Sequence, residues 1–388
     1  MISKEINEML TRVGRGTPAG ELLRRYWLPV SVAKELTLEK PRKKIKVLGE
    51  DLVLFLDKNG QYVCLAEQCV HRGCSMYYGF IEDGGIRCPY HGWKFDASGK
   101  CLEQPFEPKD STFKDRVFQP SYPVQKLGGL LFIYMGPQPA PLLPRWDVFV
   151  REDGIHKIQV DPVLNCNWLQ AQENSLDTTH TRYLHGEMMK TKGIPGAEYY
   201  LRSIEDYEFE QFRWGVIKRR VWVGENGEKE REVGHPAVFP NMVRVPQGQW
   251  HAMQCRVPID DTHTMIFSKL FKPTTDGTRT DPEDPAVDYL GSLLTEDGEH
   301  ELTSFTSQDK MAWETQGPLY DRSQERLGVS DKGIILWRKL LQEQIEIVQN
   351  GGEPMALVRD PEENHMIEFT LSQGQAEWAK KYRVNQTT

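Results

Sequence analysis

The chain has 388 residues, 39% of them hydrophobic and 27% charged, with a formal net charge of −8 and seven cysteines. That length suits two or three domains with a sizeable core. The acidic balance leaves no basic footprint for nucleic acid, no stretch approaches the roughly 18 uninterrupted apolar residues of a membrane span, and an odd number of cysteines spread over a long chain is not a disulfide framework. The first residues, MISKEINEML, lack the apolar centre of a secretory signal, so a cytoplasmic, reducing compartment is expected.

Positions 4–13, KEINEMLTRV, place Ile6, Met9, Leu10 and Val13 at helical spacing, with Gly14 as the stop. The glycines of GRGTPAG at 14–20 invite comparison with a nucleotide loop. No strand precedes them, however, and the spacing is not G-x-G-x-x-G. The segment reads as a turn in which Thr17 caps a helix and Pro18 opens it, leading into Glu21–Trp27. Nothing else offers a nicotinamide or flavin fingerprint, so electrons for any redox chemistry must come from another protein.

Positions 43–136 are rich in strand patterns: KKIKVLGEDLVLFLD, a turn at Lys58-Asn59-Gly60, QYVCLAE, and GGLLFIYMG at 128–136. Within them lie Cys69-Val70-His71 and, after sixteen intervening residues, Cys88-Pro89-Tyr90-His91. Two thiols and two imidazoles are metal ligands, and zinc accepts the same mixture. Zinc patterns usually open with two Cys and close with two His. Here each half carries one of each, which suits a [2Fe–2S] cluster whose irons are held by two Cys and by two His. Each half follows a short apolar run and enters a Gly-bearing turn, Arg72-Gly73 or His91-Gly92.

On these residues, CVHRGC and RCPYHGWKFDASGKC, the chain resembles the Rieske domain of the ring-hydroxylating, non-haem iron oxygenases. Respiratory Rieske proteins brace their loops with a disulfide. Here Tyr90 stands where its second cysteine would be, so Cys74 lacks that partner and the domain resembles the soluble oxygenase or ferredoxin type. PQPAPLLP, positions 137–144, is stiff by composition and reads as a linker.

In the stretch from Asn167-Trp168 to His185, Glu173, Asp177 and His180 fall on one helical face. His185 lies five residues beyond His180, a rotation of roughly 140° on an ideal helix. The two imidazoles converge only if the helix widens or ends nearby. The pattern N-W-x₄-E-N-x₂-D-x₂-H-x₄-H resembles the mononuclear iron motif of the same oxygenases. That resemblance implies that His180 and His185 supply two arms of a 2-His-1-carboxylate site with open positions for dioxygen. It also implies that Asp177 links His180 to cluster ligand His91 of a neighbouring subunit. A plainer role, orienting His180, is compatible with this.

The third ligand must be a distant carboxylate. Asp309, Glu314, Asp321, Glu325 and Asp331 are candidates, and QDKMAWETQ at 308–316 resembles the family segment that carries it, which favours Asp309. Alternating strands over 195–272, such as Phe212–Trp222 and Thr264–Phe271, suit a curved sheet over the iron. Arg244, in FPNMVR, is a candidate for pairing a substrate carboxylate, with Arg213, Arg219 and Arg220 as alternatives. RVGRGTPAGELLRRYW, RVPIDDTHT and GPLYDRSQERLGVSD resemble the phthalate 4,5-dioxygenase-like branch, so the resemblance covers roughly residues 5–355.

The resemblance implies an α+β protein: N-terminal helices over 1–25, a small all-β Rieske domain over 26–150, and a helix-on-antiparallel-sheet (helix-grip, START-like) catalytic domain over 151–388. It implies a [2Fe–2S] cluster, a mononuclear Fe(II), a separate NAD(P)H-dependent reductase, O₂, an aromatic and in this branch carboxylated substrate, and a homotrimer or a multiple of it. The products would be a cis-diol, a phenol, or a demethylated acid. An electron carrier or a redox sensor is the competing class, and His180, His185 and Asp309 are what such a protein would not need.

Overall fold

A computed structural model describes residues 2–223, 227–232, 234–247 and 249–369. The N-terminal helix Lys4–Thr11 buries Leu10 and is capped by Ser3. The next helix, Pro18–Leu23, opens as the sequence suggests, with the Thr17 hydroxyl accepting from Gly20 N at 3.3 Å. It is shorter than expected. Instead of continuing to Trp27, the chain turns at Arg24–Tyr26 and Trp27–Val32 becomes a fully buried strand, because that apolar run pairs with Leu130–Tyr134.

Three small sheets make up the first third of the fold. Trp27–Val32, Leu130–Tyr134 and Val124–Leu127 form one. Arg42–Val47, Glu50–Leu56, Tyr62–Ala66 and Ser121–Tyr122 form another. The third consists of the short strands Phe80–Glu82, Gly85–Arg87, Lys94–Phe95 and Cys101–Glu103. The last two sheets enclose a separate apolar cluster built on Phe55, Leu65, Ile86, Trp93 and Phe95.

A nine-stranded sheet dominates the remainder. Its long strands, among them Gly215–Val223, Trp250–Pro258 and Thr264–Pro273, pair antiparallel with their neighbours. At one edge Gly154–Val160 runs parallel to Ala286–Tyr289, so the sheet is mixed rather than purely antiparallel. Phe212–Trp222 is not one strand. Ile204–Phe212 ends there, and Arg213-Trp214 turn the chain into Gly215–Val223. The helix Lys332–Gln349 buries Trp337, Leu340, Leu341, Ile345 and Val348, a spacing that puts one apolar face on the body.

One continuous core joins Leu10 and Leu22 to Trp168, Val216, Trp337 and Ile367. The proline-rich stretch at 137–144 is tied into it: Trp27 Nε1 donates to the Pro141 carbonyl at 2.8 Å, and Leu142 N donates to Val358 O at 2.9 Å. Lys269, wholly buried in the large sheet, donates to the Gly128 carbonyl at 2.7 Å and the Pro282 carbonyl at 2.8 Å. It thereby holds the turn between Val124–Leu127 and Leu130–Tyr134 against that sheet. No helix among the described residues is long and apolar enough to cross a membrane.

Candidate metal centres

Two loops of the small sheets carry the first constellation, and they repeat one backbone pattern. Cys69 N donates to Cys74 O at 2.9 Å and Gly73 N to Cys69 O at 2.8 Å. In the other loop Cys88 N donates to Trp93 O at 2.8 Å and Gly92 N to Cys88 O at 3.1 Å. Gly73 and Gly92 both sit at φ 73°, a left-handed conformation that favours glycine. Cys69 and Cys88 are 2% exposed. Burial, with Cys88 beside it, pushes the Cys69 thiol up to about 12, although the backbone N–H groups of His71 and Arg72 favour its thiolate.

The imidazoles lie farther out. His71 and His91 approach edge to face at 4.6 Å, and His71 stacks on Trp93 at 4.2 Å. Burial and the neighbouring His91 lower the His71 pKa. An inner pair of thiols and an outer pair of imidazoles fit a two-iron cluster. A buried thiol as costly to ionise as that of Cys69 calls for a metal to hold it as a thiolate. Gln119, 1% exposed, braces the first loop: its Oε1 accepts from Val70 N at 2.9 Å, and its Nε2 donates to the Ala66 and Gln68 carbonyls at 2.8 Å each. Nothing in the local sequence marks this glutamine, which lies fifty positions from the loop it supports.

The second constellation is assembled from two helices. Trp168–Asn174 is capped by Asn167, which accepts from Leu169 N at 3.1 Å. The chain turns at Ser175–Thr178 and then forms a π-helix over Thr181–Glu187. The i→i+5 bonding of that helix brings residues five apart onto one face, so the rings of His180 and His185 meet at 5.2 Å. Asp309 arrives on the helix Phe305–Glu314, with its Oδ1 3.3 Å from His185 Nε2 and 3.7 Å from His180 Nε2. Ligand atoms of all three lie within 4.8 Å of one another.

Asp309 Oδ1 is buried with no hydrogen-bond partner among the described residues. Burial pushes its carboxyl up, but His185, His180 and Arg256 outweigh that and hold it below its ordinary value. An unsatisfied carboxylate oxygen facing two imidazole nitrogens fits a divalent metal such as iron. The other carboxylates weighed from the sequence go elsewhere. Glu314 accepts from Asn165 N, Asp321 from Ser323, Glu325 from Arg338, and Asp331 from Gly328 N.

Asp177 lies beside this trio. Its Oδ2 is 3.4 Å from His180 Nδ1, and its Oδ1 accepts from Thr179 N at 2.7 Å. Burial would raise its pKa, but His180, the Thr179 N–H and Lys218 hold it well below the ordinary range. Lys218, pushed down to about 8 by burial, donates to the Asp177 backbone carbonyl at 2.7 Å. Glu173 does not share this face. It is buried between Arg322, at 2.9 Å, and Arg338, at 2.5 Å, where it ties the motif helix to the C-terminal helix.

A groove of about 960 Å³ opens at His180, lined by Arg182, Tyr183, Met188, Leu201, Ile204 and Tyr207. Arg244, the candidate for a substrate carboxylate, sits elsewhere. Its guanidinium pairs with Asp147 at 2.9 Å, is 14% exposed, and is not part of the groove lining. Arg213 pairs with Glu363, Arg219 with Glu210 and Arg220 with Glu232.

Residues 26–123 match the Rieske [2Fe-2S] domain family, and residues 293–385 match the LigXa C-terminal domain like family. The chain is 38% identical to the 5,5'-dehydrodivanillate O-demethylase oxygenase subunit of Sphingobium sp. (strain NBRC 103272 / SYK-6), covering 95% of this chain and 86% of the relative. It is 37% identical to the phenoxybenzoate dioxygenase subunit alpha of Ectopseudomonas oleovorans, over 89% and 86% of the two chains. Identity to the phthalate 4,5-dioxygenase oxygenase subunit of Pseudomonas putida is 29%, over 90% and 88%. Among solved structures, the terminal oxygenase of carbazole 1,9a-dioxygenase from Novosphingobium sp. KA1 shares the fold with a TM-score of 0.62 at 20% identity, over 88% and 95% of the chains.

Proposed function

The chain belongs to the Rieske oxygenases as an oxygenase (alpha) subunit, and from that premise we propose how its two constellations divide the work. It is an oxidoreductase that incorporates oxygen, not a bare electron carrier. We assign a [2Fe–2S] cluster to Cys69, His71, Cys88 and His91, and a mononuclear Fe(II) to His180, His185 and Asp309. The observation that carries the assignment is the convergence of those last three side chains within 4.8 Å. An electron carrier has no use for it.

When bound, the mononuclear iron supplies open coordination positions at which dioxygen is activated. The residues around it do the rest. His180 and His185 present Nε2, and Asp309 supplies the anionic arm. Asp177 stays ionised and faces His180 Nδ1, holding a proton on that nitrogen. The groove at His180 accepts an aromatic ring against Leu184, Met188, Leu201 and Ile204, and Arg182, whose Nη1 donates to the Leu201 and Arg202 carbonyls, turns its remaining N–H groups to an anionic group on it. The substrate we propose is an aromatic compound bearing a carboxylate, the class named for the phenoxybenzoate and phthalate relatives. The reaction is hydroxylation, dihydroxylation or O-demethylation.

Residues 26–150 form the cluster domain in this reading and 151–388 the catalytic domain, with 1–25 packed across the latter: Arg12 pairs with Asp261, and Asn7 Nδ2 donates to Tyr320 O. Electrons come from a separate NAD(P)H-dependent reductase. The oligomer is a ring of three or a multiple of it, in which Asp177 faces His91 of the partner subunit. We place the protein in the cytoplasm, where thiolate-bound iron is kept reduced.

The test is substrate-dependent O₂ uptake with a surrogate reductase, across phthalates, phenoxybenzoates and methoxylated aromatic acids. Uptake coupled to product supports the reading, and NADH alone should give none. Sustained NADH oxidation by the purified chain without a reductase would overturn the proposed dependence on a partner.

A further inference from the structure

We propose that Gln308 is a positioning residue that fixes the tautomer and the aim of His185. Its side chain is 0% exposed and uses both ends of the amide. Nε2 donates to the Leu302 carbonyl at 3.0 Å, and Oε1 lies 2.9 Å from His185 Nδ1. The Leu302 carbonyl can only accept, so it decides which way the amide points. Flipping the amide would set two acceptor oxygens against each other. Oε1 therefore faces the imidazole, and because it too only accepts, His185 Nδ1 must carry the proton. That leaves the lone pair on Nε2, the nitrogen aimed at Asp309 Oδ1 from 3.3 Å.

Three features make this more than incidental packing. Gln308 is the residue immediately before Asp309 on the helix Phe305–Glu314, so one turn of that helix supplies a metal-facing carboxylate and also orients an imidazole from a different helix. Its other end is anchored in the segment before the helix, where the Ser304–Ser307 capping box fixes the start of the turn. The two imidazoles are also held differently. His180 Nδ1 faces the Asp177 carboxylate at 3.4 Å, whereas His185 Nδ1 faces a neutral amide. An anionic acceptor strengthens the basicity of its imidazole more than a neutral one does. Gln308 thus keeps His185 oriented without a second carboxylate, and charge at Asp177 marks the His180 side alone.

The inference rests on reading His180, His185 and Asp309 as an iron site, and its test separates the two. Protein with an intact cluster, stripped of mononuclear iron, is titrated anaerobically with Fe(II) against a competing chelator. Wild type, Gln308→Leu and Gln308→Glu are compared. The His185 tautomer is read in the same iron-free samples from ¹⁵N-histidine spectra, assigned by the signals lost in His185→Gln. Wild type should show a proton on Nδ1. Gln308→Leu should mix the tautomers and weaken Fe(II) binding by about 10–100-fold, the usual effect of removing such a partner. Gln308→Glu still accepts from Nδ1, although it sets an acceptor against the Leu302 carbonyl, and should keep the tautomer and bind more tightly than Gln308→Leu. Unchanged tautomer and affinity in Gln308→Leu would overturn the role of Gln308. Wild type that takes up no Fe(II) beyond the cluster would overturn the iron site instead, and the tautomer comparison would still judge Gln308.

Discussion

Between the small sheets, four candidate ligands come from positions 69 to 91, on two loops with the same turn and the same pair of backbone hydrogen bonds. In the second constellation, position 180 caps a π-helix, position 185 lies in it, and both wait for position 309 on a separate helix. The first site is held by short-range backbone bonds and its own small core. The second depends on the packing of helices over the large sheet. A site built from local loops leans on few distant residues, Gln119 among them. A site assembled from distant helices is sensitive to every element that sets their spacing. The predictions below are ways of driving the two apart.

Removing one imidazole should have the largest effect. We expect about three irons per chain in the wild type, two in the cluster and one beyond it. His180→Ala or His185→Ala should lose one iron and all oxygenation while the visible and EPR spectra of the cluster persist. Loss of the cluster spectrum together with the third iron would show that the sites are not separable.

Asp177→Asn keeps size but removes charge. Both metal sites should stay filled, while electron transfer from the reduced cluster, followed by stopped-flow bleaching, slows by orders of magnitude. In mixed rings of Asp177→Asn and Cys69→Ala chains, a sound cluster meets a sound Asp177 only across a subunit boundary. Recovered activity there supports transfer between chains, and its absence in verified mixed rings contradicts it.

A smaller effect, confined to the cluster, follows from Gln119→Leu. Three backbone groups, on Val70, Ala66 and Gln68, lose their partner. A buried polar group left unpaired costs about 1–3 kcal/mol. Cluster absorbance should decay faster, measured against a chelator, with the iron at His180, His185 and Asp309 unaffected.

The smallest effect concerns a contact between a small sheet and the large sheet. Burial holds the Lys269 ammonium down to about 7, only partly offset by Glu283 and Asp281. The unfolded chain keeps that proton to a higher pH than the folded one. Unfolding free energy therefore rises as pH increases from about 7 to about 10, the ordinary lysine range. Lys269→Met should remove that part of the slope, measured by urea unfolding at several pH values. It should also leave the Gly128 and Pro282 carbonyls without their donor.

The same contrast explains what the sequence made legible. Cys69, His71, Cys88 and His91 stand close together with a distinctive spacing, and the Thr17–Pro18 helix start is a local signal. His180 and His185 were visible as a pair, and their awkward spacing of five pointed to a widened helix, which is what forms. Asp309 stands out in the sequence only because its segment resembles a family pattern. Partnerships across long stretches left no local mark. Asp147 takes Arg244, Gln119 braces a loop fifty positions away, and Gln308 reaches His185. Glu173 shared an apparent helical face with Asp177, but the helix ends at Asn174, and the turn beyond it sends the two carboxylates to different partners. The parallel edge of the large sheet likewise depends on a pairing between positions 157–160 and 286–289.

The claim that the two sites form one oxygenating unit is tested most directly by a single turnover without reductase. The protein is chemically reduced, freed of excess reductant, and mixed with O₂ in the presence and absence of an aromatic acid that supports uptake. Cluster oxidation is followed by absorbance and product by chromatography. The wild type should oxidise its cluster rapidly only with substrate present and form product in proportion, and His185→Ala should do neither. Rapid, substrate-independent cluster oxidation that is the same in His185→Ala would mean that electrons do not pass through the site at His180, His185 and Asp309.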